Sequence, residues 1–175
     1  NRLRARNEQL EHIVQTRTAD LEHANKQLRA QTLRDGLTGI ANRRAFDDSL
    51  HEAWQQALRE GSSLALLMID ADHFKGYNDR FGHLQGDEVL RTLARALSAD
   101  DHADRLSARW GGEEFAILMT HMDLSGASAE AERVRRLIQG YPLGVTVSVG
   151  VAATVPVPGV AVSALMAAAD GALYA

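Results

Sequence analysis

The spacing of apolar positions changes once along this chain, near residue 34. Residues 1–34 contain neither Gly nor Pro and repeat every seven: Asn7, Val14, Leu21 and Leu28 form one set, and Leu3, Leu10, Arg17 and Ala24 another. This period predicts one long N-terminal helix. With the first set as d, the a positions are Arg4, Glu11, Thr18, Asn25 and Thr32. A stable zipper wants apolar residues at a, so the seam is weak, and Leu3, Leu10 and Ile13 mark a competing one. The pattern predicts a parallel dimeric coiled coil with two nearly equivalent registers.

Asp35-Gly36-Leu37-Thr38-Gly39 breaks that helix, and residues 35–175 are expected to form a separate domain. Asn42 is placed to cap a helix running to about Glu60, with Phe46, Leu50, Trp54, Ala57 and Leu58 on its apolar side. Leu64 to Ile69 is an unbroken apolar run ending at Asp70, the pattern of a buried strand. Helices are predicted over 73–81 and 86–98. Arg105–Trp110 and Glu114–Met119 read as two strands joined by a Gly-Gly turn. A helix over 126–139, a strand over 144–153 and a helix over 162–174 complete the order.

That order predicts an α+β fold, the split βαββαβ (ferredoxin-like, palm-type) arrangement with an antiparallel central sheet, preceded by the long helix. In it the first and third strands are central neighbours. Asp70 then lies beside Glu113-Glu114, so three carboxylates distant in sequence meet at one sheet edge.

Net charge is −4, which leaves no broad basic surface for a nucleic-acid polymer. A polyanionic substrate would need metal ions or local cations. Without cysteine there are no disulfides or thiolate metal sites, which fits a cytoplasmic location. Val145–Ala169 lacks charge over nearly a membrane-spanning length, but Gly150, Pro156, Pro158 and Gly159 interrupt it. A membrane anchor elsewhere in a longer protein remains compatible with this pattern.

Crowded carboxylates repel one another unless a cation neutralises them. Hard oxygen donors suit Mg²⁺, or Mn²⁺, which takes one or two carboxylates and completes its shell with waters and substrate phosphates. Asp70, Glu113 and Glu114 therefore point to a nucleoside triphosphate site. Phe74-Lys75 offers amides and an ammonium for phosphates. Asp87 could accept the two side-by-side N–H donors of guanine, and Asn78 could add a donor–acceptor pair. Singly, each has an ordinary alternative: Asn78 a turn residue, Asp87 a helix N-cap, Lys75 a solvated lysine, His73 and His83 surface histidines.

Together, "DGLTGIANRRAF", "DADHFKGYNDRFGHLQGDEVL", "RWGGEEF" and "VTVSVGVA" resemble the GGDEF domain of diguanylate cyclases, from about residue 34 to the end. The leading helix resembles the signalling linkers that precede such domains. The resemblance implies a homodimer that condenses two GTP into cyclic di-GMP and releases pyrophosphate, under an upstream sensor. It implies that Asp70, the Ala71 carbonyl and Glu113 bind the metal, that Glu113 is the base and that Glu114 assists. Phe74 and Lys75 would face phosphates, Asn78 and Asp87 would read guanine, and His83 would line the ribose or base.

Two departures modify this expectation. Where many members carry an inhibitory product site, Arg-x-x-Asp, this chain has His102-Ala-Asp-Arg105, so no product inhibition of that kind is expected. The family also continues past "DGALYA" with a Lys and an Arg for phosphates, so the C-terminal end reads as truncated. The alternatives are a catalytically weak GTP-binding or partner-binding module, and a palm-type cyclase preferring another base.

Overall fold

The computed structural model describes residues 14–18, 20, 21 and 33–175. The chain divides into two units, 1–34 and 35–175. In the first, residues 14–18, 20 and 21 are helical, and Val14 and Leu21, both on the expected seam, are 61% and 69% exposed. The rest of the coiled-coil expectation lies outside the described residues.

The second unit contains β1 (Ala41–Asn42), α1 (Arg43–Glu60), β2 (Leu64–Ala71), α2 (Phe74–Phe81), α3 (His83–Ser98), β3 (Arg105–Gly111), β4 (Glu114–Thr120), α4 (Leu124–Gln139), β5 (Val147–Thr154) and α5 (Ser163–Leu173). The sheet order is β1-β3-β4-β2-β5. β3–β4, β4–β2 and β2–β5 are antiparallel, as the split βαββαβ pattern requires. β1 adds a parallel edge strand to β3, an element the sequence pattern did not predict. Two residues are too few to show an alternation.

The ends of α1 follow from its sequence. The Asn42 side chain accepts the Ala45 N–H at 3.0 Å, and Gly61 closes the helix in the left-handed region at φ 66°. Phe46, Leu50, Ala53, Trp54 and Ala57 are buried, and Leu58 is half-buried.

β2 is buried on both faces because helices cover both. Leu64, Leu66 and Met68 join Phe46, Leu50 and Trp54 of α1 and Leu165 and Ala169 of α5. Ala65, Leu67 and Ile69 join Leu93 and Leu97 of α3 and Val134 and Ile138 of α4. This explains the unbroken apolar run. Each fully buried Leu or Ile contributes about 1.5–3 kcal/mol, so both layers hold β2, and Asp70 at its end, in register.

Two boundaries differ from expectation. α3 begins at His83 rather than residue 86, so Asp87 lies inside the helix and is not an N-cap. β5 begins at Val147 rather than 144, because Gly144 turns the chain at φ 71°.

Candidate active site

The antiparallel register sets Asp70 of β2 opposite Glu114 of β4 and Ser148 of β5. Glu113 sits in the turn before β4, and its carbonyl accepts the Ala71 N–H at 3.3 Å. The turn itself carries Gly112 at φ 51°, and β3 has an irregularity between Arg109 and Gly111. Open space lies where a Cβ would stand at Gly111 and Gly112, so the backbone of this turn is approachable.

Arg109 fixes the turn from behind. Its guanidinium donates to the Gly112 carbonyl at 2.8 and 3.0 Å and to both Asp35 oxygens at 3.0 and 3.2 Å. Asp35 in turn accepts the Thr38 N–H at 2.9 Å and hydroxyl at 2.6 Å. Burial raises the Asp35 carboxyl, but Thr38 and the Arg109 charge outweigh it and hold it low. Thus "DGLTG" and the Arg of "RWGGEEF", 74 residues apart, form one clamp. The sequence reading placed both stretches in its motifs but did not pair them.

The carboxylates in front of the clamp are not neutralised. Partial burial, then the charges of Glu113, Glu114 and Asp72, push Asp70 up to about 6. Every charge acting on Asp70 is negative, the condition under which a divalent cation binds with most relief. Among the described residues, however, no three carboxylate or imidazole groups converge as a closed metal cage.

Asp72 has a different task. Its two oxygens accept the Thr146 and Ser148 hydroxyls, each at 2.6 Å, and its N–H donates to the Thr146 carbonyl at 2.9 Å. It stitches the end of β2 to β5. His73 then reverses the chain at φ 55°, an uncommon conformation for a residue with a Cβ, and α2 starts.

At the start of α2 the Phe74 ring is buried in the core, so what it can present is its N–H. Lys75 is exposed and forms no ion pair among the described residues. Asn78 is half-buried, and its Oδ1 is enclosed without a hydrogen-bond partner. Gly86 of α3 presses on it: a Cβ there would overlap Asn78 Oδ1 and come within 3.1 Å of the Phe74 ring. Asp87, the next residue, is half-buried, whereas His83 is exposed at the first position of α3. The fold therefore gathers Asp70, Glu113 and Glu114 at one strand end and sets Asn78 against the turn of α3 that carries Asp87. It draws His83 into neither group.

The expected place of a product site is filled differently. Arg105, 6% exposed, donates to Asp101 at 2.7 Å, to Glu130 at 3.1 and 3.3 Å, to the Leu97 carbonyl at 2.8 Å and to Ser107 at 3.1 Å. Its donors are engaged within the fold.

Comparison with known proteins agrees with this geometry. The chain is 40% identical over 149 residues to the response regulator PleD of Caulobacter vibrioides, covering 80% of this chain and 33% of PleD. It superposes with a TM-score of 0.82 on the coiled coil and GGDEF domain of DgcB from Caulobacter crescentus, solved in complex with c-di-GMP, at 35% identity over 94% of this chain and 92% of that one. Diguanylate cyclase SiaD of Pseudomonas aeruginosa, solved with its activator SiaC, matches with a TM-score of 0.77 at 36% identity, over 97% and 67% of the two chains. The chain spans about a quarter to a half of the length of the curated relatives it matches. Residues 32–175, which include every segment of the acidic edge and its clamp, match the family described as diguanylate cyclase, GGDEF domain, and the chain belongs to that family.

Proposed function

We propose that this chain is a diguanylate cyclase that condenses two GTP into cyclic di-GMP and releases two pyrophosphates. The observation that carries the reading is the unneutralised edge of Asp70, Glu113 and Glu114, clamped open beside a polar seat on α2 and α3. Cyclases of this family are metal-dependent, and the residues fit such an ion. Asp70, the Ala71 carbonyl and Glu113 would hold Mg²⁺, or Mn²⁺, with Glu114 assisting. Two carboxylates and a carbonyl suffice, because Mg²⁺ completes its shell with water and phosphate oxygens; a closed cage of three acids is not required. The bound ion would supply charge neutralisation on the triphosphate.

In this reading the N–H groups at the start of α2 and the Lys75 ammonium bind phosphates. The Asn78 side-chain amide adds a donor–acceptor pair to the guanine seat, and Asp87 takes the paired N1–H and N2–H₂ donors. His83 sits at the outer rim, toward the ribose or base. Glu113 takes the proton of one GTP's 3′-hydroxyl as that oxygen attacks the α-phosphorus of the other. The new P–O bond replaces the bond to the leaving pyrophosphate, and the second attack closes the ring. Positioning and charge, rather than covalent catalysis, account for the rate.

One protomer seats one GTP, so two must face each other. The exposed Val14 and Leu21 support dimerisation through an N-terminal coiled coil, with an upstream sensor acting through it. Among the described residues no helix is long and apolar enough to cross a membrane, and the lack of cysteine supports a cytoplasmic setting for the domain.

Incubation with GTP and Mg²⁺, followed by chromatography, tests the reading. Cyclic di-GMP is expected from GTP and no cyclic dinucleotide from ATP. GTP bound but unconverted by a dimeric chain would reject the enzyme reading for a binding module. Equal use of ATP would reject the guanine seat.

A further inference from the structure

Gly150 in β5 pairs with Met68 in β2. A Cβ at this glycine would overlap the Ala169 carbonyl oxygen and the Leu173 nitrogen and come within 2.8 Å of Leu173 Cα. These are backbone atoms of α5 and cannot swing aside. The missing side chain is therefore what lets the last turns of α5 lie directly on the strand.

That close approach has a consequence at the acidic edge. Asp70 shares the sheet face of Met68, and its partner Glu114 shares the face of Ala116 and Leu118. This is the face that α5 covers through Leu165 and Ala169. Immediately after α5, the Tyr174 hydroxyl donates to Glu114 Oε1 at 3.1 Å. The residue is 68% exposed, so core packing does not account for where it points. Hydrogen bonding to Glu114, and then the charge of Glu114, raise the Tyr174 hydroxyl above its ordinary range, so it remains a donor at neutral pH.

We propose that Tyr174 is a positioning residue for Glu114: its hydroxyl holds one oxygen of that carboxylate at the acidic edge, against the repulsion of Asp70, and Gly150 sets α5 at the depth that makes the reach possible. The inference rests on the reading of this edge as a metal-bearing half-site. Without the phenol hydroxyl, Glu114 is free to turn away from Asp70 and the cation seat loosens, although no metal ligand has been removed.

The test is a double-mutant cycle on the full chain: wild type, Tyr174→Phe, Glu114→Gln and the double variant. Mn²⁺ binding is measured by the signal of the free ion, without nucleotide. Cyclic di-GMP formation and melting temperature are measured in parallel. Tyr174→Phe is expected to weaken Mn²⁺ binding roughly three- to tenfold, the scale of one ordinary solvent-exposed hydrogen bond. It lowers kcat, leaves KM for GTP and the melting temperature unchanged, and has no further effect when Glu114 is already Gln. Gly150→Ala is expected to reproduce the Mn²⁺ defect if it folds. Wild-type Mn²⁺ affinity and kcat in Tyr174→Phe, an equal loss in the Glu114→Gln background, or a wild type that binds no Mn²⁺ would overturn the proposal. Coupled Mn²⁺ binding in a wild type that makes no cyclic di-GMP would instead remove the proposed function and leave the positioning role standing.

Discussion

The β3–β4 hairpin and its neighbours gather carboxylates at both ends, and the two ends treat them in opposite ways. Where β3 begins, Asp101 and Glu130 meet the guanidinium of Arg105, and Arg133 joins Glu130 to Asp100. Burial raises the Glu130 carboxyl, but Arg133 and Arg105 outweigh it and hold it low. Where the hairpin turns, the cation of the clamp, Arg109, faces Asp35 and the Gly112 carbonyl, while partial burial and then three negative neighbours raise Asp70 to about 6. In the first cluster every carboxylate has an arginine partner, and the pairs join secondary-structure elements. The second is left unbalanced in a partly buried position, a destabilising arrangement that the proposed cation would reverse. A count of acidic residues does not distinguish the two; the placement of arginine does.

The sharpest way to break this contrast is to neutralise one carboxylate at each end. Glu113→Gln is expected to lower cyclic di-GMP formation by about 10²–10⁴-fold, the scale of a lost general base, with an unchanged melting curve. Asp101→Asn is expected to leave kcat near the wild-type value. If both variants lost activity alike, the two ends would not be functionally distinct.

Next in size is the removal of the buried cation. Arg105→Ala removes the buried cation that joins Asp101 to Glu130, leaving Glu130 to Arg133 and Asp101 to Ser107, and is expected to cost about 3 kcal/mol, read from the urea midpoint. The material that remains folded should keep its kcat. An Arg105→Ala domain as stable as the wild type would show the cluster to be a solvated surface rather than a joint.

The third prediction follows Asp70 with pH. Its value is raised in the folded state to about 6, so below that the proton competes with the metal. Apparent Mn²⁺ affinity should fall about tenfold per pH unit under pH 6 if this one proton is displaced. The sign for stability is the reverse. The folded state holds this proton more tightly than the unfolded chain, so the contribution of Asp70 to the stability of the metal-free domain declines as pH rises from about 4 to 6, opposite in sign to the contributions of Asp35 and Glu130, whose carboxyls are held low. Asp70→Asn should remove that loss, worth on the order of 1 kcal/mol after solvent screening, and raise the metal-free melting temperature at pH 7. A difference in metal-free melting temperature, wild type minus Asp70→Asn, that grows as pH rises through this window would contradict the assignment.

The smallest expected change is at the base seat. Gly86→Ala must displace the Asn78 amide, and KM for GTP should rise roughly three- to tenfold with kcat little altered. An unaltered KM would separate Asn78 from substrate binding. A dose series of cyclic di-GMP should show no non-competitive inhibition of that kind, because His102 and Arg105 stand where the Arg and Asp of the product site would be.

Much of this arrangement was legible in the sequence where one local rule dominates. Asn42 and Gly61 mark the ends of α1 because caps are local hydrogen bonds. The apolar run from Leu64 announces a strand covered on both faces, and the split βαββαβ order then brings Asp70 to Glu114. What was not legible depends on pairs distant in the chain. The Arg109–Asp35 clamp, the Asp72 stitch to Thr146 and Ser148 and the Tyr174–Glu114 contact each join residues 60–76 apart, and no periodicity encodes them. The expected helix over 86–98 starts three residues late, because His83, Leu84 and Gln85 carry no local signal that marks a first turn. Gly86, within the expected helix, leaves room for Asn78, a packing role that no local pattern announces.

The most direct test of the central claim, that this edge is one half of a two-GTP site, is a mixing experiment. Wild-type chain is re-equilibrated with a large excess of Asp70→Asn chain, and cyclic di-GMP formation is measured per wild-type chain. Suppression toward zero is predicted, because nearly every wild-type half-site then faces an inactive partner. Undiminished activity per wild-type chain would mean that one protomer completes the reaction alone, and the half-site account would be wrong.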